Sequence, residues 1–217
     1  MSLFLRVLTL TIGLLAACKA ENPAFQNKKI LEFAIESKVG SLDPIHAATS
    51  YDHWATAPVY DTLLQYNYLE RPSKLEPNLI TKLPKISEDG LTYSFELIPG
   101  VLFHDDPCFP GGSGRELIAE DIIFSIKRMA NLTLRPKGWW IYNDRIIGFD
   151  TFKDRQRNRP AGAPFNYDES VEGLRVTGRY TFDLILKRPY PQLLSVLAMP
   201  FTSIVAREAT EAYPDSF

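Results

Sequence analysis

Positive charge is not in excess in this sequence: 24 Lys and Arg stand against 26 Asp and Glu, a formal net charge of −2. That balance provides no polyanion-binding footprint and argues against nucleic acid as a partner. Histidine and cysteine are scarce, at three and two residues. A zinc site needs three or four Cys, His or carboxylate ligands converging at recognisable spacings, and His46 and His53 have no such spacing. The stretch "FHDDPCFPGGSGR" (103–115) collects His104, Asp105, Asp106 and Cys108, yet adjacent side chains diverge in an extended chain. A serine nucleophile elbow requires G-x-S-x-G, and Arg115 stands where "GGSGR" should end in Gly. No phosphate-cradling G-x-x-x-x-G-K-[ST] run occurs, and there is no internal repeat or low-complexity tract. Catalytic chemistry is thus not visible, and the Pro and Gly residues of 107–114 read as turn chemistry.

A long apolar run is also missing. The uncharged stretch from Val7 to Ala17 rises only about 16 Å as a helix, too short for a ~30 Å hydrocarbon core. With Arg6 before it, the stretch fits a secretory signal peptide over 1–17. Its end, Leu15-Ala16-Ala17-Cys18, resembles the bacterial lipobox, so Cys18 is expected to carry lipid and to hold the protein to a membrane. Lys19 follows, where Asp would favour inner-membrane retention in Gram-negative lipoproteins. If Cys18 is lipidated, Cys108 has no partner for an intrachain disulfide; it is then buried, reactive, or paired beyond this sequence.

What remains is an ordinary globular composition, 45% hydrophobic and 23% charged, long enough for one large domain or two small ones. Residues 18–28 read as a tether. "ILEFAIES" (30–37) alternates as a strand, and 51–64 reads as a helix that Pro58 kinks or restarts. Asp89-Gly90 predicts a hairpin, followed by a half-buried strand with Leu91, Tyr93, Phe95 and Leu97 on one face. Ala119, Ile122, Ile123, Ile126 and Ala130 draw one stripe of a helix over 119–130. Ile118 stands at its start and has no side chain that can cap it. The basic, Gly/Pro-punctuated run 151–164 reads as a solvated loop, 179–187 as a strand, and 192–197 as a short helix. Trp139-Trp140 reads first as core packing, since large aromatics are mostly buried.

Four segments then occur in a telling order: "SLDP" (41–44), "VYDTLL" (59–64), "EPNLITKLPKISEDGLTYSFELIPGVLFHD" (76–105) and "ELIAEDIIFSIKRM" (116–129). They resemble the N-terminal part of the family 5 extracellular solute-binding proteins of ABC importers, the dipeptide, oligopeptide and nickel binders. "GLRVTGRYTFDLILKRPYPQLLSVLA" (173–198) is similar to the family's next strand and helix. Asp106 stands where that pattern has Gly, and "PCFPGGSGR" is an insertion.

The resemblance implies a mixed α/β, periplasmic-binding-protein-like two-lobed fold of type II, here only part of lobe I and its extra subdomain, well under half of such a binder. Residues 29–58 would be the first segment of lobe I, 59–172 the extra subdomain, and 173–217 the return into lobe I. It implies a non-catalytic protein without a cofactor. The protein would capture peptides or another small solute on the periplasmic side of the envelope, or at the cell surface of a Gram-positive organism. ABC permease subunits would receive the solute. A lipoprotein hydrolase using His104 and its neighbouring Asp pair, a membrane sensor derived from such a binder, and a nickel or other solute binder are the alternatives. By position the resemblance nominates Ala48, Ser50, Gly138 and Trp139 as ligand-side residues.

Overall fold

A computed structural model describes Lys29 and residues 34–214. The chain divides into a unit Met1–Glu36 and a compact unit Ser37–Phe217. The expected signal peptide, Cys18, the tether and half of the 30–37 strand lie outside the described residues. The described half, 34–37, is not a strand: alternation supplies a face, but a strand also needs a ladder partner.

Ser37–Phe217 opens with a 3-10 turn, Pro44–His46, and helix α1, Ser50–Thr56. A helix to residue 64 does not form. Pro58 cannot continue the ladder, the chain turns, and Leu64 instead enters strand β1 (Leu64–Tyr66), antiparallel to β2 (Leu75–Pro77).

The main sheet has four antiparallel strands: β3 (Lys85–Ile86), β4 (Thr92–Glu96), β5 (Leu174–Gly178) and β6 (Thr181–Ile185), in the order β3-β4-β6-β5. The sheet therefore takes strands from both sides of residues 172 and 173. Gly90 makes the β3–β4 turn at φ 69°, a conformation that Gly adopts without penalty. Alternation sets the register. Tyr93, Phe95, Leu97, Phe182, Leu184 and Leu186 all point into the core. Phe95 sits opposite Phe182 and the rings stack at 4.9 Å. Burying each such side chain contributes about 1.5–3 kcal/mol.

Helix α2, Ala119–Arg128, covers this core with the five residues of its expected stripe buried. Its last turn is less ordinary, because Lys127 and Arg128 are buried as well. Lys127 Nζ donates to Tyr167 O at 2.8 Å. Helix α3, Phe149–Arg157, replaces the first half of the expected 151–164 loop. Phe149, Phe152 and Gln156 face inward, Asp150 and Lys153 are partly buried beside them, and Asp154, Arg155 and Arg157 are exposed. The chain then runs through α4 (Leu193–Val196), a 3-10 turn (Pro200–Thr202) and α5 (Arg207–Ala212).

Candidate functional site

The strap 41–56 has two carboxylates, and both are spent on building it. Asp43 caps the Pro44–His46 turn by accepting from Ile45 N at 3.2 Å. The same carboxylate takes both arms of Arg128, Nη1 at 3.0 Å and Nη2 at 2.7 Å, with both side chains 4% exposed. Asp52 closes a capping box with Thr49: Asp52 N donates to Thr49 Oγ1 at 3.1 Å and Thr49 N to Asp52 Oδ2 at 3.0 Å. Its other oxygen accepts from Gly40 N at 2.7 Å. Burial works against the charged carboxylate, but the hydrogen bonds from Gly40 and Thr49 outweigh it and hold Asp52 below the usual range.

Two further contacts place this strap on the rest of the unit. Lys137 N donates to Ile45 O at 2.8 Å, and His46 Nε2 bonds Leu134 O. The His53 ring meets Phe201 edge-on, 6.1 Å between centroids. Phe201 also packs against Gly138, where a Cβ would lie 2.8 Å from the Phe201 Cβ; no larger residue fits without displacement.

The four residues nominated by sequence thus belong to two segments brought together around Phe201. Ala48 and Ser50 are exposed, Trp139 is 41% exposed, and Gly138 is buried against Phe201 and Met129. Trp140 is 42% exposed, so the Trp139-Trp140 pair is not core packing. Lys153 Nζ lies 5.6 Å from the Trp139 ring centroid, a cation–π contact that fixes the indole from outside the core. Sequence reasoning missed Trp54. It is 54% exposed and one helical turn after Ser50, on the same face of α1. Thr49-x-x-Asp52, a capping signature, would have started the helix at Ser50 and exposed that spacing.

The loop 103–115 is built as a staple. Asp106 Oδ1 accepts from Cys108 N at 2.8 Å and from the Tyr213 hydroxyl at 2.8 Å, and Asp105 Oδ1 accepts from Gly114 N at 2.9 Å. Phe103 and Phe109 stack at 5.9 Å. Burial and the Asp106 carboxylate push the Cys108 thiol up to about 11, so it is protonated and poorly nucleophilic at neutral pH. Among the described residues no group of three or more His, Cys, Asp or Glu could hold a metal ion. None of their helices is long and apolar enough to cross a membrane.

An apolar groove of about 240 Å³ lies beside this loop, lined by Val59, Val101, Phe103, Cys108, Phe109 and Tyr213 among others. The carboxylates on its wall are already engaged, Asp106 as above and Asp61 by Asn78 Nδ2 at 3.0 Å. His104 and Tyr60 also line it, and most of what it offers a ligand is apolar contact area.

Arg115 ends the loop and joins two helices. It donates to Asp121 from Nη1 at 2.8 Å and Nη2 at 2.6 Å, and to Glu208 from Nε at 2.6 Å and Nη2 at 2.8 Å. Asp121 in turn accepts from Ile118 N at 2.9 Å, which serves the helix start where a Thr cap is absent.

This mixed sheet-and-helix arrangement is that of periplasmic-binding-protein-like peptide-binding structures. It matches the ABC transporter-associated periplasmic binding protein DppA from Helicobacter pylori in complex with peptide STSA. The TM-score is 0.57 and the identity 27%, over 81% of this chain and 30% of that one. The family described as bacterial extracellular solute-binding proteins, family 5, middle region, matches residues 74–217, and the chain belongs to it. A dipeptide-binding protein of Escherichia coli (strain K12) is 27% identical over 192 residues, 85% of this chain. Di/tripeptide-binding protein 2 of Pseudomonas aeruginosa (strain UCBPP-PA14) is 27% identical over 211 residues, 92% of this chain. The chain spans about a third of those relatives, 31% and 34% of their lengths.

Proposed function

We propose that this chain contributes one wall of a peptide-binding cleft in the non-catalytic receptor of an ABC importer. One observation carries the reading: the strap that holds Ala48 and Ser50 is welded to α2 by the buried Asp43–Arg128 pair and meets the Trp139 segment at Phe201. Its exposed residues therefore stand on a rigid base, which lowers the ordering cost of binding. In this reading 29–58 begins lobe I, 59–172 is the extra subdomain, and 173–217 returns to lobe I. Closure of a second lobe over the wall would complete the site. Residues 1–17 would direct export, and lipid on Cys18 would tether the receptor on the periplasmic side of the envelope, beside the permease subunits that accept the peptide.

The test is calorimetric titration of the protein, expressed in full from its gene, with di-, tri- and tetrapeptides and with Ni²⁺. Peptide binding at micromolar Kd or tighter, about −8 kcal/mol, is the expected result. Binding of Ni²⁺ with no peptide binding would overturn it.

A further inference from the structure

We infer that this wall recognises the uncharged, apolar or aromatic side chain of its ligand, and that Trp54 is the residue that selects for it. The inference rests on the proposed peptide-binding role and adds to it a substrate class.

The electrostatics are the first argument. Residues 41–58 contain no Lys, Arg or Glu, and their two carboxylates are Asp43 and Asp52. Both are buried and committed, Asp43 to Arg128 and Ile45, Asp52 to Gly40 and Thr49. The rings of His46 and His53 are directed to the backbone carbonyls of Leu134 and Ala47. No charge is left on the strap to pair with a ligand terminus or with an ionised side chain. A charged group brought against the strap finds no partner on it; the cations beside it are Lys137, whose N donates to Ile45 O, and Lys153, which is engaged by Trp139 and Asn143.

The shape of the surface is the second. Tyr51 and Trp54 sit one turn apart on α1, and their rings meet edge-on at 5.4 Å and 87°. Tyr51 thereby fixes the Trp54 indole, which is still 54% exposed. Lys153 fixes Trp139 in the same manner on the neighbouring segment, and Lys153 is itself held by Asn143 Oδ1 at 2.8 Å. Indoles positioned in advance offer a large contact area at small entropic cost, so the side chain they receive is one that gains from apolar and π contact.

The experiment compares Phe-Phe, Ala-Ala and Glu-Glu as probes on the full protein and on its Trp54→Ala and Trp54→Phe variants, by titration calorimetry. Wild type is expected to bind Phe-Phe more tightly than Ala-Ala and to bind Glu-Glu weakest. Trp54→Ala should weaken Phe-Phe roughly tenfold, the loss of one aromatic contact, and Ala-Ala by a smaller factor, since a methyl group covers less of the indole. Trp54→Phe should recover most of the difference. A circular-dichroism spectrum and melt matching wild type show that the variant is folded. Equal loss for Phe-Phe and Ala-Ala in both variants, or no loss for either, would overturn the inference and leave the peptide-binding role standing. No binding of any peptide by wild type would overturn both.

Discussion

A single carboxylate, Asp43, does three jobs: it caps a turn, seats the strap and satisfies a buried guanidinium. "LDP" has no meaning by itself in the sequence, because the partner that explains it, Arg128, lies 85 residues away. Local patterns show Arg128 only as a basic residue closing a helix. Asp43→Ala should therefore cost about 3–5 kcal/mol, since it removes the bidentate acceptor from a buried guanidinium. Urea denaturation would show this as a lower midpoint at unchanged slope. A loss below about 1 kcal/mol would mean that the pair is dispensable. The same logic accounts for what was hidden at the candidate site. Ala48, Ser50, Gly138 and Trp139 are nominated by position in the family's order of segments. Trp54 is not, because the face it shares with Ser50 is defined only once Thr49 is recognised as the cap.

Among the elements, those with a strong period were legible and those defined by a few apolar residues were not. α2 and the β4 and β6 strands follow their apolar patterns closely. α3 announces itself only through Phe149, Phe152 and Gln156 in a run otherwise rich in charge, and the Gly and Pro after it complete the likeness to a loop. α5 is held by ion pairs rather than by a buried face: none of its residues is fully buried, and Glu208 is tied to Arg115. The Arg115 hydrogen bond holds Glu208 below its ordinary range although burial opposes this. Arg115→Ala should loosen α5 while sparing the sheet. Amide hydrogen exchange at 207–212 should then accelerate by roughly tenfold, with amides of β4 and β6 unchanged. Arg115 is about a third exposed, but Asp121 is 4% exposed and would keep only the Ile118 N–H, so global stability should also fall, by about 1–3 kcal/mol. Unchanged exchange at 207–212 would show that the helix is held by other contacts.

For the molecule as a whole, the ionised carboxylates act in one direction. Asp52, Asp89, Glu96, Asp106, Glu116, Asp144, Asp150, Asp168 and Glu208 all lie below their ordinary ranges. The causes are local. Asp168 accepts from Arg207, Glu116 from Arg179 and Gly100, and Asp144 from Arg188 and Lys187. For Asp150, burial is the largest single influence and raises the value, and the hydrogen bonds from Lys187 and Asp144 N together with the charges of Lys187 and Lys153 outweigh it. Each group binds fewer protons folded than unfolded at a given pH. Each therefore contributes stability that is present above the unfolded value, about 3.9 for Asp and 4.3 for Glu, and lost as pH falls through the folded one. Most of these groups are exposed, so their individual contributions are small and screened by salt, and the effect is cumulative. Thermal melts should show a Tm that is nearly level from pH 7 to about 5.5 and then falls steeply toward pH 3. At pH 7, raising NaCl from about 0.05 to 0.5 M should lower Tm modestly, because the exposed pairs are screened while Asp43–Arg128 is shielded by burial. A Tm unchanged between pH 5.5 and 3 would show that the folded and unfolded states bind protons equally there, and the carboxylate pairs would then contribute nothing to the stability of the fold.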